Sequence, residues 1–337
     1  MKKKLFIGFD TSNYTTSLAI CDEDCKVIAN LKYLLPVAEG QRGLRQSDAV
    51  FAHIKNLPLI AADLRGVLAD LKEDYEFVAG GVSITPRSIE GSYMPCFLCG
   101  KAVAETVCSV LNIPLFETSH QVGHVVAASA SALSSSKITP KDFFANSLIA
   151  LHVSGGTTDL LLVKPDADKI ISIEQIGGSA DANAGQIIDR TGLRLGFKFP
   201  CGPALDVSAM EYKEKIKGIK TSVKGLNFNL SGLENIAEKM IANKCSVSET
   251  SAYVLEYISK SIEKCLLNAF ERYGKLPVVF AGGVMSSQYI KQRLSKYGMF
   301  SEGQYSADNA SGVAIVTNLM YNNDMFKENT FDSECGG

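Results

Sequence analysis

The chain has 337 residues, enough for two domains with separate cores, and 34 Lys and Arg against 36 Asp and Glu leave it at net −2. That balance excludes a globally basic nucleic-acid binder, so any contact with RNA has to use a local patch or a partner. Nine cysteines without regular spacing, and no apolar run near the roughly 20 residues of a membrane helix, point to a soluble cytoplasmic protein with reduced thiols and no membrane association. The apolar run after Met1-Lys2-Lys3-Lys4 stops at Asp10, too short for a signal peptide.

Leu5–Phe9 suits a buried strand. Asp10-Thr11-Ser12-Asn13-Tyr14-Thr15-Thr16 follows as a hydroxyl-rich turn, and Ser17–Cys21 and Lys26–Leu34 complete a three-stranded meander. After a polar loop, Ser47 is expected to cap a long helix to about Leu71, with Val50, Ile54, Leu57, Ile60, Leu64 and Leu68 at helical spacing. A strand over 76–84, a loop with Pro86 and Arg87, a helix over 95–111 and a short strand over 114–117 come next. Cys96 and Cys99 form a Cys-x-x-Cys with no second pair, which disfavours zinc; a packed helix face is preferred to a redox pair.

The chain then reaches Thr118-Ser119-His120-Gln121-Val122-Gly123-His124. The two histidines stand four residues apart at the start of an apolar, alanine-rich segment, Val125–Leu133, that reads as a helix, so they share a face. Ser119 or Thr118 is the candidate cap. Imidazoles at this spacing are a common helical means of holding a transition metal; the alternative is two surface or core histidines. Gln121 stands where a helical metalloprotease carries its general-base Glu and cannot take a proton, so a metal here would orient a ligand or polarise an oxygen.

Ser134–Asp142 reads as a polar connection, after which the opening pattern recurs. Ser147–Val153 is a strand, Ser154-Gly155-Gly156-Thr157-Thr158 a tight turn, and 160–163 and 170–176 two more strands. Two meanders, each with a polar first hairpin, predict two similar α/β domains facing one cleft, with both hairpins offering N–H groups and hydroxyls to phosphate. A helix over 182–195, a loop over 199–206 entering another helix, and a basic, flexible stretch from Lys213 to Lys224 follow; a solvated face is the preferred reading of that stretch and a nucleic-acid contact the alternative. Ser231 or Asn229 is expected to cap a helix, and a long amphipathic helix covers 246–273. The strand over 277–281 runs into Gly282-Gly283-Val284, a turn type that seats a nucleotide against a helix N-terminus. A polar loop, Tyr305–Asn309, precedes a last helix over 310–321 and a frayed tail.

With these pieces placed, the chain resembles the TsaD (Gcp) threonylcarbamoyl-transferase family from Ile7 to about Met320. His120-Gln121-Val122-Gly123-His124 matches its His-x-x-Gly-His metal motif, and Val153-Ser154-Gly155-Gly156 its Val-Ser-Gly-Gly hairpin. Asp181-Ala182-Asn183-Ala184-Gly185 through Asp189, Cys201-Gly202-Pro203-Ala204-Leu205-Asp206, Ser231-Gly232-Leu233, Ala281-Gly282-Gly283-Val284 and Asp308-Asn309-Ala310 follow in family order. The resemblance implies an actin-like ATPase fold: an α/β protein of two duplicated ribonuclease-H-like domains around a central cleft. The first would take residues 1–118 and 308–325, the second 119–307 with a helical insertion.

The same resemblance implies one divalent metal, Fe2+ or Zn2+, held by His120, His124 and Asp308, with His152 as a further ligand. It implies nucleotide or acyl-adenylate contacts at His152, Val153, Ser154, Gly155, Gly156, Asp189, Gly202, Asp206 and Ser287, helix capping being the alternative role for Asp189 and Asp206. The ligand would be threonylcarbamoyl-AMP or ATP/AMP, the acceptor tRNA, and the partners a small homologous TsaB-like subunit and a TsaE-like ATPase. The chain departs from the family pattern at several places. Tyr14 replaces a catalytic-looking Asp, so no catalytic residue is assigned; Thr157, Gln186, Ser287 and Glu234 replace usual His, Glu, Asn and Lys; the usual Tyr-Gly-Gly before the first long helix is missing, and only His53 is kept from that region. This is the pattern of a diverged paralogue: a threonylcarbamoyl transferase first, a carbamoyltransferase using carbamoyl-AMP on a small hydroxyl metabolite second, a non-catalytic nucleotide-binding scaffold of a tRNA-modification complex third, and a peptidase least.

Overall fold

The computed structural model describes residues 2–36, 44–134, 136–303 and 310–323; the expected loop Tyr305–Asn309 and the tail beyond Asn323 lie outside them. The chain divides into two compact units, one running to Asn146 and taking in Lys164–Ser172 and the C-terminal helix, the other built from Ser147–Val163 and the chain from Ile173 up to that helix. In the first unit β1 (Lys3–Thr11), β2 (Thr15–Asp22) and β3 (Val27–Leu34) form the antiparallel meander. Helix α1 (Gln46–Asp70), β4 (Tyr75–Thr85), α2 (Phe97–Leu111) and β5 (Leu115–Ser119) follow, with β4 parallel to β1 and β5 parallel to β4. The sheet order is β3-β2-β1-β4-β5. Helix α3 (His120–Ala132) carries the two histidines, and α4 (Pro140–Phe144) occupies part of the expected polar connection, capped by Thr139 and anchored by buried Phe143 and Phe144.

The second unit repeats the plan. Its elements are β6 (Leu148–Val153), β7 (Thr158–Asp166), β8 (Ile170–Ser179), α5 (Ala184–Arg194), α6 (Gly202–Glu211), β9 (Ser222–Lys224) and β10 (Asn227–Asn229). They continue with α7 (Ser231–Ala242), α8 (Val247–Tyr273), β11 (Val278–Ala281), a 3-10 turn (Gly283–Ser286), α9 (Gln288–Leu294) and β12 (Met299–Phe300). Its sheet order is β12-β11-β6-β7-β8-β10-β9. Removing the last two strands leaves the order of the first sheet, so the recurrence read from the sequence is present as topology. Helix α8 runs through the core of this unit, burying Ile258, Ile262 and Leu266 in one cluster with Phe228 and Phe280.

The C-terminal helix α10 (Ser311–Tyr321) packs in the first unit on β1, β2, β4 and α3. Leu5, Ile7 and Phe9 of β1 face α1 and α2, while Gly8 and Phe6, on the other face, meet Ala314 and Tyr321 of α10. This two-sided burial explains why β2 is buried at every position instead of alternating. Helices α3 and α10 touch through their backbones: a Cβ placed on Gly312 would lie 1.8 Å from the Gly123 carbonyl oxygen. The glycine of the His-x-x-Gly-His motif therefore has a packing role beside its histidines.

Three local expectations are corrected. Helix α1 starts at Gln46 with Arg45 as an N-cap that makes no side-chain bond, so Ser47 lies inside the first turn. It buries Ala49, Ala52, His53 and Ile60 while Ile54 is exposed, because small residues let it lie close to its neighbours. Helix α7 is capped neither by Ser231 nor by Asn229; the Asp181 carboxylate accepts from the Leu230 amide at 2.7 Å and the Ser231 amide at 3.1 Å. Among the described residues no helix is long and apolar enough to cross a membrane, and all eight cysteines are free thiols.

The α3–α10 contact predicts a sharp asymmetry between two Gly→Ala changes. Gly312→Ala should destabilise the chain by about 1–3 kcal/mol, the usual range for overpacking. Gly66→Ala, in open space on α1, should be neutral or stabilising by about 0.5–1 kcal/mol. Thermal unfolding of the two variants compares them, and equal shifts would refute a tight backbone crossing.

Candidate metal centre

Strands β1, β4 and β5 run parallel, so their C-terminal ends lie together. This brings Asp10 from β1, Ser83 from β4 and His120, directly after β5, into one cluster. The Asp10 side chain is buried; the Ser83 hydroxyl donates to it in a short bond, and His120 Nδ1 lies 3.0 and 3.1 Å from its two carboxylate oxygens. A carboxylate accepts, so the His120 Nδ1 carries the hydrogen and Nε2 of the neutral ring presents a lone pair. That Nε2 stands 2.8 Å from His124 Nε2.

Helix α3 is started as the sequence suggested. Ser119 caps it, its hydroxyl accepting from the Val122 amide at 3.3 Å and meeting the Ser88 hydroxyl at 2.9 Å, while the Gln121 amide donates to the Pro86 carbonyl. Both imidazoles thus sit in the first turn and a half of a helix fixed from two sides.

With a lone pair on the His120 Nε2, the His124 Nε2 donates to it; with that hydrogen given up, the two imidazoles, one backed by a buried carboxylate, are a donor pair that fits a divalent transition metal. Among the described residues no group of three or more His, Cys, Asp or Glu is arranged around a common point, so two ligands are in view. Asp308, expected as the third, lies outside the described residues. His152 belongs to the second unit, half-buried on β6 opposite Asp159 and Ala281.

The hairpin after Asp10 is tied down from below. Thr11 donates to the Cys96 carbonyl at 3.0 Å and accepts from the Gly100 amide at 2.9 Å. His53, fully buried, pairs its Nδ1 with the Thr16 hydroxyl at 2.8 Å, and Asn56 reaches the same hydroxyl at 3.2 Å. Burial pulls the His53 imidazole below its ordinary range, against the opposing effect of the Ser12 backbone carbonyl and the Asp10 charge. Tyr14, at the tip, is 42% exposed. Cys96 is fully buried and its thiol is pushed up to about 11 by that burial, which suits packing and opposes redox chemistry.

In the second unit the Ser154–Thr157 turn joins β6 to β7. The Ser154 hydroxyl accepts from the Gly156 amide at 3.2 Å and the Thr157 amide at 3.1 Å. The start of α5 lies on this turn: the Gly185 amide donates to the Ser154 carbonyl, Asn183 to the Gly156 carbonyl, and the Ala184 amide to the Thr158 hydroxyl. A Cβ on Gly185 would come within 2.7 Å of Gly155, so only glycine permits the approach. Gly282, at φ 98°, sits equally close on Val153. Val153, the 154–156 turn, the Gly282-Gly283 turn and the start of α5 thus gather at the C-terminal end of β6, where open α/β sheets bind ligands.

Asp206 accepts from the Ser287 hydroxyl, the Gln288 amide at 2.9 Å and the Tyr289 amide at 3.1 Å, which makes it an anchor for α9 and brings it together with Ser287. Asp189 accepts from the Cys201 amide at 2.9 Å, one residue before Gly202. Glu234 pairs with Arg190 at 3.0 Å and Arg194 at 2.8 Å; burial raises its carboxyl, but the two guanidiniums outweigh this and hold it below the usual range. Sequence reasoning placed His120 and His124 together and missed Asp10 and Ser83 as their support. The available signal was an Asp closing an apolar strand run.

A match to the family described as TsaD, tRNA N6-adenosine threonylcarbamoyltransferase, spans residues 91–315. Relatives named tRNA N6-adenosine threonylcarbamoyltransferase include that of Thermosipho africanus, 24% identical with 98% of each chain covered. That of Caldicellulosiruptor saccharolyticus is 27% identical, with 92% of this chain and 91% of the relative covered. Among solved structures, HypF of T. kodakarensis aligns at a TM-score of 0.56 and 11% identity, over 95% of this chain and 48% of that one. Component A of the Acidaminococcus fermentans (R)-2-hydroxyglutaryl-CoA dehydratase aligns at 0.50 and 12%, over 93% and 97%. The fold is that of the actin-like ATPases, and the chain belongs to the TsaD family.

Asp10→Asn keeps the shape of the carboxylate and removes the charge that orients His120. It should weaken Zn2+ binding, read by calorimetry, about 10–100-fold; unchanged affinity would show that Asp10 does not support a metal ligand. His53 gives a second outcome. Its lowered pKa means that its contribution to stability is complete above the ordinary value of 6.5 and is lost as pH falls from there towards the folded-state value. Wild type should lose stability on acidification by up to about 1.4 kcal/mol per pH unit more than His53→Gln, and denaturant melts at pH 7 and pH 5.5 test this.

Proposed function

We propose that the chain transfers the threonylcarbamoyl group of threonylcarbamoyl-AMP to the exocyclic N6 amine of the tRNA adenosine beside the anticodon. The match to the TsaD family over 91–315 carries this reading. His120 and His124 would hold the divalent metal, Fe2+ or Zn2+, with Asp308 and His152 as further ligands. When bound, the metal supplies Lewis-acid polarisation of the carbamoyl oxygen.

The remaining work falls to the chain. Asp10 keeps the His120 lone pair directed forward by holding the opposite ring nitrogen. The Gly156 N–H is taken by Ser154, which leaves the exposed Gly155 N–H, without a partner among the described residues, to meet negative charge that develops on the carbamoyl group. Asp206 has three of its roughly four acceptor sites occupied within the protein, and its remaining site on Oδ2 can take a ribose hydroxyl. Asp189 and Gly202 would complete the adenosine contacts. The N6 amine attacks the carbamoyl carbon, a C–N bond forms, the C–O bond to phosphate breaks, and AMP leaves as the amine gives up its proton. A small homologous subunit and an ATPase partner, both expected from the family resemblance, complete the reading.

Nucleoside mass spectrometry on unmodified tRNA, incubated with the protein, threonylcarbamoyl-AMP and Fe2+ or Zn2+, with and without candidate partners, should reveal threonylcarbamoyladenosine. His124→Ala should abolish both the bound metal and the product. Persistent absence of product from a metal-loaded, nucleotide-binding wild type would replace the transferase reading with that of a scaffold, and full activity of a metal-free His124→Ala would remove the metal from the mechanism.

A further inference from the structure

We propose that the segment from Lys213 to Lys224 is an RNA-docking surface that grips the phosphate backbone of the acceptor; this rests on the tRNA reading above. Five lysines, 213, 215, 217, 220 and 224, stand in this segment against one glutamate, Glu214, while the whole chain is net −2. The remainder of the chain is therefore net acidic, and this is a local concentration of positive charge on it. All five lysines are exposed. Among the described residues none of them forms an ion pair, and only Lys213 makes a side-chain hydrogen bond, to the Met210 carbonyl.

The segment is nevertheless fixed. Ile216 is buried in the core of the second unit, and Ile219 and Val223 pack against that core. The Ser222 amide donates to the Tyr257 hydroxyl at 3.3 Å, and β9 is paired with β10. Apolar residues turned inward thus alternate with lysines turned out, so the cations are displayed from a held backbone and not from a loose tail. Ordering cationic side chains without giving them partners has no stabilising value of its own, and surface repulsion among them opposes it.

Protection of a sheet edge is the competing explanation, since lysine on an edge strand blocks pairing with another chain. It accounts for Lys224, which lies on the edge strand β9, and not for the four lysines that precede the strand. The position also suits the substrate. The segment follows α6, which begins at Gly202 and carries Asp206, and ten residues of helix span about 15 Å. The lysine segment therefore begins about one helix length from Gly202, within the same unit. Glu211 and Glu214 at the α6 end limit the surface on that side.

The test is binding of unmodified tRNA to the full chain by fluorescence anisotropy, from 50 to 200 mM KCl. Lys215→Ala/Lys217→Ala/Lys220→Ala should weaken binding at least tenfold at 100 mM salt. It should also flatten the dependence of log K on log salt by about two to three, because each of the three lost phosphate contacts removes about 0.7–0.9 from that slope. The matching Lys→Arg triple should bind as wild type, as should Lys26→Ala/Lys32→Ala/Lys72→Ala at exposed sites in the first unit, and AMP binding should be unchanged in all of them. Undiminished tRNA binding by the Ala triple would overturn the surface and leave the transferase reading standing. Failure of wild type to bind tRNA at 50 mM salt would overturn the surface, and the same failure with the candidate partners present would overturn the transferase reading as well. Competition by polyglutamate as effective as that by tRNA would overturn the RNA assignment in favour of an acidic protein partner.

Discussion

The first unit depends on a carboxylate that has no water to turn to. A buried carboxylate is costly unless hydrogen bonds compensate it, and Asp10 is hydrogen-bonded to Ser83 and His120. Both partners reach it because β4 and β5 extend the sheet in parallel beside β1, ending at the same level. The sheet topology is thus what permits the charge, and the charge is what selects one ring orientation of His120. One turn along α3, His124 then meets His120 on the same helix face, and the facing glycines 123 and 312 let α3 lie close on α10.

The second unit has the same strand order and the opposite chemistry. Where the first sheet ends in a carboxylate and an imidazole, the second ends in a turn of Ser154, Gly155 and Gly156 covered by the start of α5. Glycines at 185 and 282 remove side chains from the approach, so backbone amides and carbonyls form the surface. One topology therefore ends in two imidazoles and a carboxylate on one copy, and in a glycine-lined backbone turn on the other.

Most of this plan was legible in the residues because its signals are local. Apolar runs closed by turn formers marked the strands, and Ser119 caps its helix as local pattern suggests. What the sequence hid was action at a distance. The cap of α7 is Asp181, fifty residues upstream, so the nearer Ser231 and Asn229 misled. Asp10 looked like a turn residue because the parallel neighbours that make it a support for His120 come from β4 and β5. The face of α1 was misjudged because close packing favoured Ala49 and Ala52 over the bulkier Ile54.

The divergence from the family pattern is uneven, and that unevenness has physical content. Glu234, where Lys is usual, is matched by Arg190 and Arg194, so a reversed charge is absorbed as an ion pair inside the second unit. Ser287, where Asn is usual, donates to Asp206 and helps start α9. Both changes have partners that account for them as structure. Tyr14 has no such account: it is 42% exposed, and the hydrogen bonds that hold the hairpin beneath it come from Thr11, Thr16 and His53. The two histidines and the buried carboxylate beside them are tied into the fold through Ser83, Ser119 and the β1–β4–β5 sheet, so the parts of the pattern that this chain keeps are the ones its packing also holds in place.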